Sequence, residues 1–169
     1  MKTLYVVRHA KSSWDDPDLG DFERPLSARG KRDAPRMGKR LKEKGLTPDW
    51  VISSPARRAL STAKRICSVI DFDKTKIKTE RRLYHASEET ILSVVHAIKD
   101  KFSTVLIFGH NPGLTDFVNS LLPEESGMLI NNVPTSGVVA FSFDVDSWAD
   151  IHWKEGKMLF FDYPKSRED

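Results

Sequence analysis

The chain has a single cysteine among its 169 residues, Cys67, which excludes an internal disulfide and any multi-cysteine metal cluster. One thiol also fits a reducing compartment. No apolar run approaches the roughly 18 residues of a spanning helix, so a membrane-embedded chain is not expected. The opening stretch, MKTLYVVRH, passes from apolar straight into charged residues without a cleavage-site pattern, so it does not read as a signal peptide. Among the five histidines there is no His-x-His or His-x-x-x-His pair, and no Asp/Glu cluster accompanies His9 and His110, so no metal is expected. Internal repeats, low-complexity tracts and linkers are also missing. The expectation is one cytoplasmic domain spanning 1–169, long enough to bury a core without staples. Net charge is low as well, with 27 Lys+Arg against 24 Asp+Glu, a balance of +3. That balance hides a division. Residues 1–85 carry 21 basic and 11 acidic side chains, whereas residues 86–169 carry 6 and 13. A basic half suggests an anionic partner.

What is present is an alternation of strands and helices. Leu4-Tyr5-Val6-Val7 is a continuous apolar run of the kind found in a strand buried on both faces. The stretch from Lys11 to Arg24 holds four aspartates, a Pro and a Gly, and reads as a long loop. Ser27 is placed to cap a helix to about Lys44, with Ala34, Met37 and Leu41 on one face and Gly45 as its stop. Pro35 should kink that helix or restart it with Asp33 as a second cap. Trp50 to Ser53 is a second strand, and Pro55 opens a helix with Ala59, Leu60, Ala63, Ile66, Cys67 and Ile70 at helical spacing. A short strand over Ile77 to Glu80 follows, then a helix capped by Ser87. Thr104 to Phe108 is another buried strand, and Pro112 starts a helix through Leu122. Val138 to Phe143 and Met158 to Phe161 read as strands, with Ile151-His152-Trp153 a possible third. The pattern predicts an α/β fold, a three-layer α/β/α sandwich with a mostly parallel central sheet and antiparallel edge strands.

Three polar sites fall at the carboxyl ends of predicted strands: Arg8-His9, the segment Ser53 to Arg58, and His110-Asn111. In an open α/β sheet, ligands bind at that edge. The amino end of the Pro112 helix adds N–H groups and a positive dipole, both suited to a phosphate.

These residues resemble a known family. Arg-His-Ala-Lys-Ser-Ser-Trp at 8–14 is similar to the Arg-His-Gly signature of the histidine phosphatase (phosphoglycerate-mutase-like) superfamily. Ser-Pro-x-x-Arg-Ala at 54–59 resembles its second arginine motif, and Gly-His-Asn-Pro-Gly at 109–113 its second histidine motif. Phe22 to Ser27, with Gly30, resembles a segment of the small SixA-type phosphohistidine phosphatases. The resemblance covers nearly all the chain. It implies that His9 is a nucleophile that takes the phosphoryl group on a ring nitrogen, and that Arg8, Arg58 and His110 hold the phosphoryl oxygens. Arg58 rather than Arg57 directly precedes the motif's alanine. The chemistry suits these residue types: arginine offers a permanently charged fork, and neutral imidazole is a competent nucleophile near pH 7. His110, if cationic, would add electrostatic stabilisation.

Two departures stand out. Ala10 occupies the usual glycine position. The glutamate that mutase-type members use as general acid has no counterpart before Tyr84; Glu80 and His85 are the nearby candidates for a proton donor. Such a site suits a phosphoramidate, whose imidazole leaving group needs no strong acid. Arg24 either touches substrate or pairs with Asp15, Asp16 or Asp21 to order the loop. Lys11 either reaches substrate or is solvated, and Asn111 is expected to act through its backbone N–H at the helix start. Arg57, Arg81 and Arg82 read as solvated, His96 as packing or surface, and His152 as structural. A cysteine-based mechanism would want arginine six residues after Cys67, where Asp73 stands.

The implied activity is a cofactor-free, metal-independent phosphatase, acting on phosphohistidine carried by a protein partner such as a signalling domain. The rivals are a phosphomonoesterase for small phosphorylated molecules and a non-catalytic phosphate-binding module. A nucleic-acid partner is not expected, because no aromatic-plus-basic platform accompanies the charge.

Overall fold

The structure is a computed structural model and describes all residues from 1 to 169. Six strands form one sheet: β1 (Lys2–Arg8), β2 (Trp50–Ser53), β3 (Lys78–Thr79), β4 (Thr104–Gly109), β5 (Val138–Phe143) and β6 (Lys157–Asp162). Their order is β3-β2-β4-β1-β5-β6. β1, β2, β3 and β4 run parallel, β5 is antiparallel to β1, and β6 is antiparallel to β5. The antiparallel pair therefore completes one side of a mostly parallel sheet, with β6 as its rim.

Four helices cover the two faces: α1 (Ala28–Glu43), α2 (Arg57–Val69), α3 (Glu88–His96) and α4 (Gly113–Leu121). The alternation of side chains along each strand divides the core in two. Leu4, Val6, Val105 and Ile107 face one layer with Val95, Phe117 and Val118 from α3 and α4. Val7, Leu106 and Phe108 face the other with Met37, Leu41, Ile66 and Cys67 from α1 and α2. Each such fully buried aliphatic or aromatic side chain stabilises the fold by about 1.5–3 kcal/mol. Apolar side chains on both faces explain why β1 and β4 are continuous apolar runs in sequence.

Ser27 caps α1 by accepting from the Gly30 N–H, and Ser87 caps α3 by accepting from the Thr90 N–H. Pro35 lies inside an unbroken α1. Asp33 starts no second helix; its buried carboxylate instead accepts from Arg29 at 3.3 Å and Arg36 at 3.5 Å. Ile151 to Trp153 is not a strand. The stretch follows a 3-10 turn at Trp148–Asp150, whose Trp148 indole donates to the Phe102 carbonyl, and the Ile151 carbonyl pairs with His96 Nε2 at 2.8 Å. His96 is thus a packing residue that ties α3 to this turn.

Two glycines set the close approaches that shape the strand-end surface. A Cβ at Gly30 would collide with the Lys11 carbonyl, and one at Gly113 with the Ala86 carbonyl. The first lets α1 press on the loop after β1. The second lets α4 press on the turn that carries His85.

Candidate active site

The parallel register pairs Arg8 with Gly109, so the chain leaves β1 and β4 at the same level. His9 and His110 are the next residues on each strand, and their ring centroids lie 5.2 Å apart. The β2–α2 connection brings Ser54 and Arg58 to the same edge. Arg8, His9, Arg58 and His110 line one pocket of about 280 Å3, together with Lys11, Ser12, Trp14, Asp21, Arg24, His85, Asn111 and Thr135.

Hydrogen bonds fix the state of both histidines. His9 Nδ1 lies 2.8 Å from the Ala10 carbonyl, which can only accept, so Nδ1 carries the proton. The lone pair is then on Nε2. Burial pushes the His9 pKa down to about 3; the Ala10 bond opposes this, and the charges of Arg58, Arg8 and Arg24 reinforce it. His110 Nε2 lies 2.7 Å from Ser54 Oγ. Ser54 Oγ already accepts from the Ala56 N–H at 3.2 Å and has no other acceptor for its own proton. The hydroxyl therefore donates to Nε2, and the His110 proton sits on Nδ1, which is buried without a partner. Burial, followed by His9 and Arg58, also holds the His110 pKa down to about 3. His110 is neutral near pH 7, so its contribution in the empty site is a hydrogen-bond donor rather than the cation considered from sequence.

Arg8 Nη1 donates to the Val133 carbonyl at 3.0 Å, while its Nε is buried and unpaired. Arg58 is 3% exposed, and its Nε is also unpaired. Unpaired buried donors are uncommon and cost about 1–3 kcal/mol each. Three of them, on Arg8, Arg58 and His110, belong to residues of one pocket. Thr62 of α2 braces this group. Its Oγ1 accepts from the Ala10 N–H at 2.9 Å and donates to the Arg58 carbonyl at 2.7 Å.

The main addition to the sequence reading is Asp21. Its Oδ2 accepts from Arg58 Nη2 at 3.0 Å, from the Tyr84 hydroxyl at 2.5 Å and from His85 Nε2 at 3.1 Å. Its Oδ1 pairs with Arg24 at 3.2 Å, and its backbone carbonyl accepts from Arg58 Nη1 at 2.7 Å. Partial burial would raise the Asp21 pKa. The hydrogen bonds from Tyr84 and Arg58, with the Arg58 charge, win and hold it well below the usual carboxylate range. The sequence considered Asp21 only as a partner for Arg24. Its contact with Arg58, Tyr84 and His85 depends on the loop after β1 folding back across the β2 and β3 ends.

Of the other sequence candidates, His85 lines the pocket, its position held in a left-handed backbone conformation at φ +53°. Glu80 does not reach the site. It bonds Arg82 at 3.1 Å and faces a separate groove, because the chain turns through Arg81–Leu83 before entering the pocket at Tyr84. Arg24 is buried, donates to Ser12 Oγ at 2.7 Å, and lies 3.5 Å from the ring centre of Trp14, which is 71% exposed. Trp14 ends the Arg-His-Ala-Lys-Ser-Ser-Trp stretch at 8–14, but nothing in that stretch gives it a role of its own. Lys11 is exposed at the rim. The Asn111 side chain ties the start of α4 to the loop before β5: Oδ1 accepts from Thr115 N and Oγ1, and Nδ2 donates to Asn132 Oδ1 and the Val133 carbonyl. At the amino end of α4, Leu114 N donates to the His110 carbonyl and Thr115 N to Asn111 Oδ1. No group of three His, Cys, Asp or Glu side chains is arranged to hold a metal ion.

A sequence profile of the histidine phosphatase superfamily (branch 1) matches residues 4–87, from β1 to the cap of α3. The chain belongs to the histidine phosphatase superfamily. An uncharacterised chloroplastic protein of Arabidopsis thaliana is 31% identical over 128 residues, 71% of this chain and 59% of that protein, so the match spans less than two thirds of the plant relative. An uncharacterised protein of Mycobacterium tuberculosis is 30% identical over 166 residues, 94% of this chain and all of its own length. The crystal structure assigned as phosphohistidine phosphatase SixA of Agrobacterium tumefaciens shares the fold. Its TM-score is 0.81 at 26% identity, covering 96% of this chain and 98% of that one. Superfamily membership supports phosphatase activity as the general function, on a phosphoglycerate-mutase-like fold. No helix is long and apolar enough to cross a membrane.

Proposed function

We propose that the chain is a metal-independent, cofactor-free phosphatase that removes the phosphoryl group from phosphohistidine on a protein partner, such as a cytoplasmic signalling domain. The observation that carries the mechanism is the state of His9. With Nδ1–H tied to the Ala10 carbonyl and the pKa near 3, Nε2 offers a lone pair across the whole neutral range. In the first step Nε2 attacks phosphorus, and the substrate P–N bond breaks with its electron pair returning to the leaving imidazole. Arg8, Arg58 and the His110 Nδ1–H stabilise the charge on the equatorial oxygens. In the second step water attacks the phosphorylated His9. The N–P bond breaks, the electron pair returns to Nε2, and the proton lost by water passes to the phosphate product or to solvent.

The choice of phosphoramidate rests on the proton supply. The one carboxylate in the pocket, Asp21, is held ionised by Tyr84 and Arg58 and has no proton to give. An alkoxide leaving group would depend on His85, oriented by its bond to Asp21. An imidazole that carries a proton on its other nitrogen leaves as a neutral ring without help. The pocket is open, and its lining is nearly all polar, which suits a side chain presented by another protein.

The test is phosphate release from a phosphohistidine peptide in EDTA, with an alkyl phosphate as comparator and His9→Ala as control. Release from the peptide that is lost in His9→Ala, and faster than release from the ester, is the expected result. A preference for the ester, or equal release by His9→Ala, overturns the proposal.

A further inference from the structure

A second concavity lies on the far side of β2 from the phosphoryl site. It is a groove of about 340 Å3 between the β3 edge of the sheet and the end of α3. Its floor is apolar: Ile52, Val94, Ala97 and Ile98, with Trp50 and Phe102 stacked at 4.8 Å and 8° between planes. Its rim carries Lys78, Arg82, Lys99 and Lys101 against one carboxylate, Glu80. Glu80 is already committed to Arg82 at 3.1 Å, and Lys78, Lys99 and Lys101 make no salt bridge. Asp100, which could have neutralised its neighbours, is turned away. Its carboxylate binds Ser147 and the Trp148 N–H, and its carbonyl accepts from Lys2.

We infer that this groove is a docking site for an acidic peptide segment carrying one aromatic or aliphatic anchor. Three features point to that occupant together. The floor has room for one large apolar side chain. Lys78, Lys99 and Lys101, none of them paired with a carboxylate although Lys101 Nζ lies 5.2 Å over the Phe102 ring, call for carboxylates on both flanks. β3 is a two-residue strand at the sheet edge, so its outer side has no strand partner and an extended backbone could align along it. The groove is also contiguous with the phosphoryl site through the chain. β3 leads through Glu80 and the turn Arg81–Leu83 directly into Tyr84 and His85. A docked segment would lie one short turn from the pocket wall. The inference extends the protein-substrate reading proposed above, but its test reads binding alone.

The probe is a short fluorescein-labelled peptide of Asp and Glu residues around a single Phe, followed by fluorescence anisotropy at low salt. Saturable binding is expected, weakened at least tenfold by Lys99→Glu/Lys101→Glu and at least tenfold when the peptide Phe is replaced by Ser. Amide chemical shifts should move over residues 78–82 and 97–102. The double variant should retain its circular dichroism spectrum and thermal midpoint, because both lysines are exposed. No saturable binding, or unchanged affinity in the double variant, overturns the inference. So do shifts confined to Arg8, His9 and Arg58 that inorganic phosphate abolishes, since the peptide would then be occupying the phosphoryl pocket. Binding of a fatty-acid anion such as decanoate without the peptide, or self-association on sedimentation that buries the groove, would also overturn it by naming a different occupant. Failure of the phosphohistidine assay with intact peptide binding would strike only the proposed activity.

Discussion

Asp21→Asn should have opposite effects on the empty and the occupied protein. In the empty site the carboxylate accepts from Arg58, Tyr84 and His85 and pairs with Arg24. Asn keeps an acceptor oxygen but loses the charge, so bonds of about 1.5–3 kcal/mol become bonds of about 0.5–1.5 kcal/mol. The Asp21 side chain is 40% exposed, so solvent screening reduces the summed loss to about 1–2 kcal/mol. For a chain of this size that is a fall of about 2–8 °C in melting temperature. With phosphate bound the sign reverses. A carboxylate about 6 Å from a phosphoryl monoanion, at an effective dielectric of about 20, repels it by about 2.8 kcal/mol. Halved for exposure, that is about 1.4 kcal/mol, or about tenfold in Kd. Asp21→Asn should therefore melt earlier than the wild type in phosphate-free buffer, bind inorganic phosphate about tenfold more tightly by calorimetry, and recover most of the lost midpoint as phosphate saturates. Equal phosphate affinity in the two proteins, or weaker binding by the variant, would refute the assignment of Asp21 as a charge that competes with phosphate for Arg58. The pH dependence gives an independent check. Because the folded pKa of Asp21 is depressed, its stabilisation is complete above the unfolded value of about 3.9 and is lost as pH falls below it. The variant should lose less stability than the wild type below about pH 4.

Three further outcomes follow from the same geometry. Phosphorylation of His9, measured by rapid quench at limiting substrate in a His85→Gln background, should show no titration of His9 or His110 near pH 6.5, because both titrate near 3; an acid limb near 6.5 in that background that is independent of the substrate used would contradict this. Folding stability should fall as pH drops from about 6.5 towards 3, since the unfolded histidines take up protons that the folded ones refuse; His110→Ala should flatten part of that slope in urea titrations. Thr62→Val should cost about 1–3 kcal/mol by leaving the Ala10 N–H unpaired in the core, and should lower turnover by loosening the strand end that holds His9; unchanged denaturation and unchanged turnover would remove Thr62 as a brace.

The sheet was readable because its strands are buried on both faces, which writes them as uninterrupted apolar runs at Leu4 to Val7, Thr104 to Phe108 and Val138 to Phe143. The helices at Ser27 and Ser87 announced themselves through their caps. The restart at Pro35 does not occur, since tertiary packing of Met37 and Leu41 carries one helix through it from Ala28 to Glu43. Ile151 to Trp153 misled, because its apolar content serves the packing of a turn rather than a strand. The arginine and histidine cluster was legible from motifs at strand ends. Asp21 was not, because nothing local distinguishes it from Asp15, Asp16 and Asp18. Its role comes from contacts with residues 37, 63 and 64 positions away. The carboxylate near the end of the third strand, Glu80, faces a separate groove, whereas the one in the pocket, Asp21, arrives from the loop after β1.

The pairing of β1 with β4 also sets the order in which the protein can become active. Thr3 is in register with Thr104, so β1 has its central partner about a hundred residues downstream. At roughly 5–20 residues per second, β1 waits on the order of 5–20 s before β4 is made. Its other neighbour, β5, comes later still. Long-range parallel pairing of this kind is slow to nucleate. His9 and His110 meet only when that pairing is complete, so the phosphoryl transfer proposed above would report closure of the sheet centre, and partly folded chains should be inert rather than weakly active.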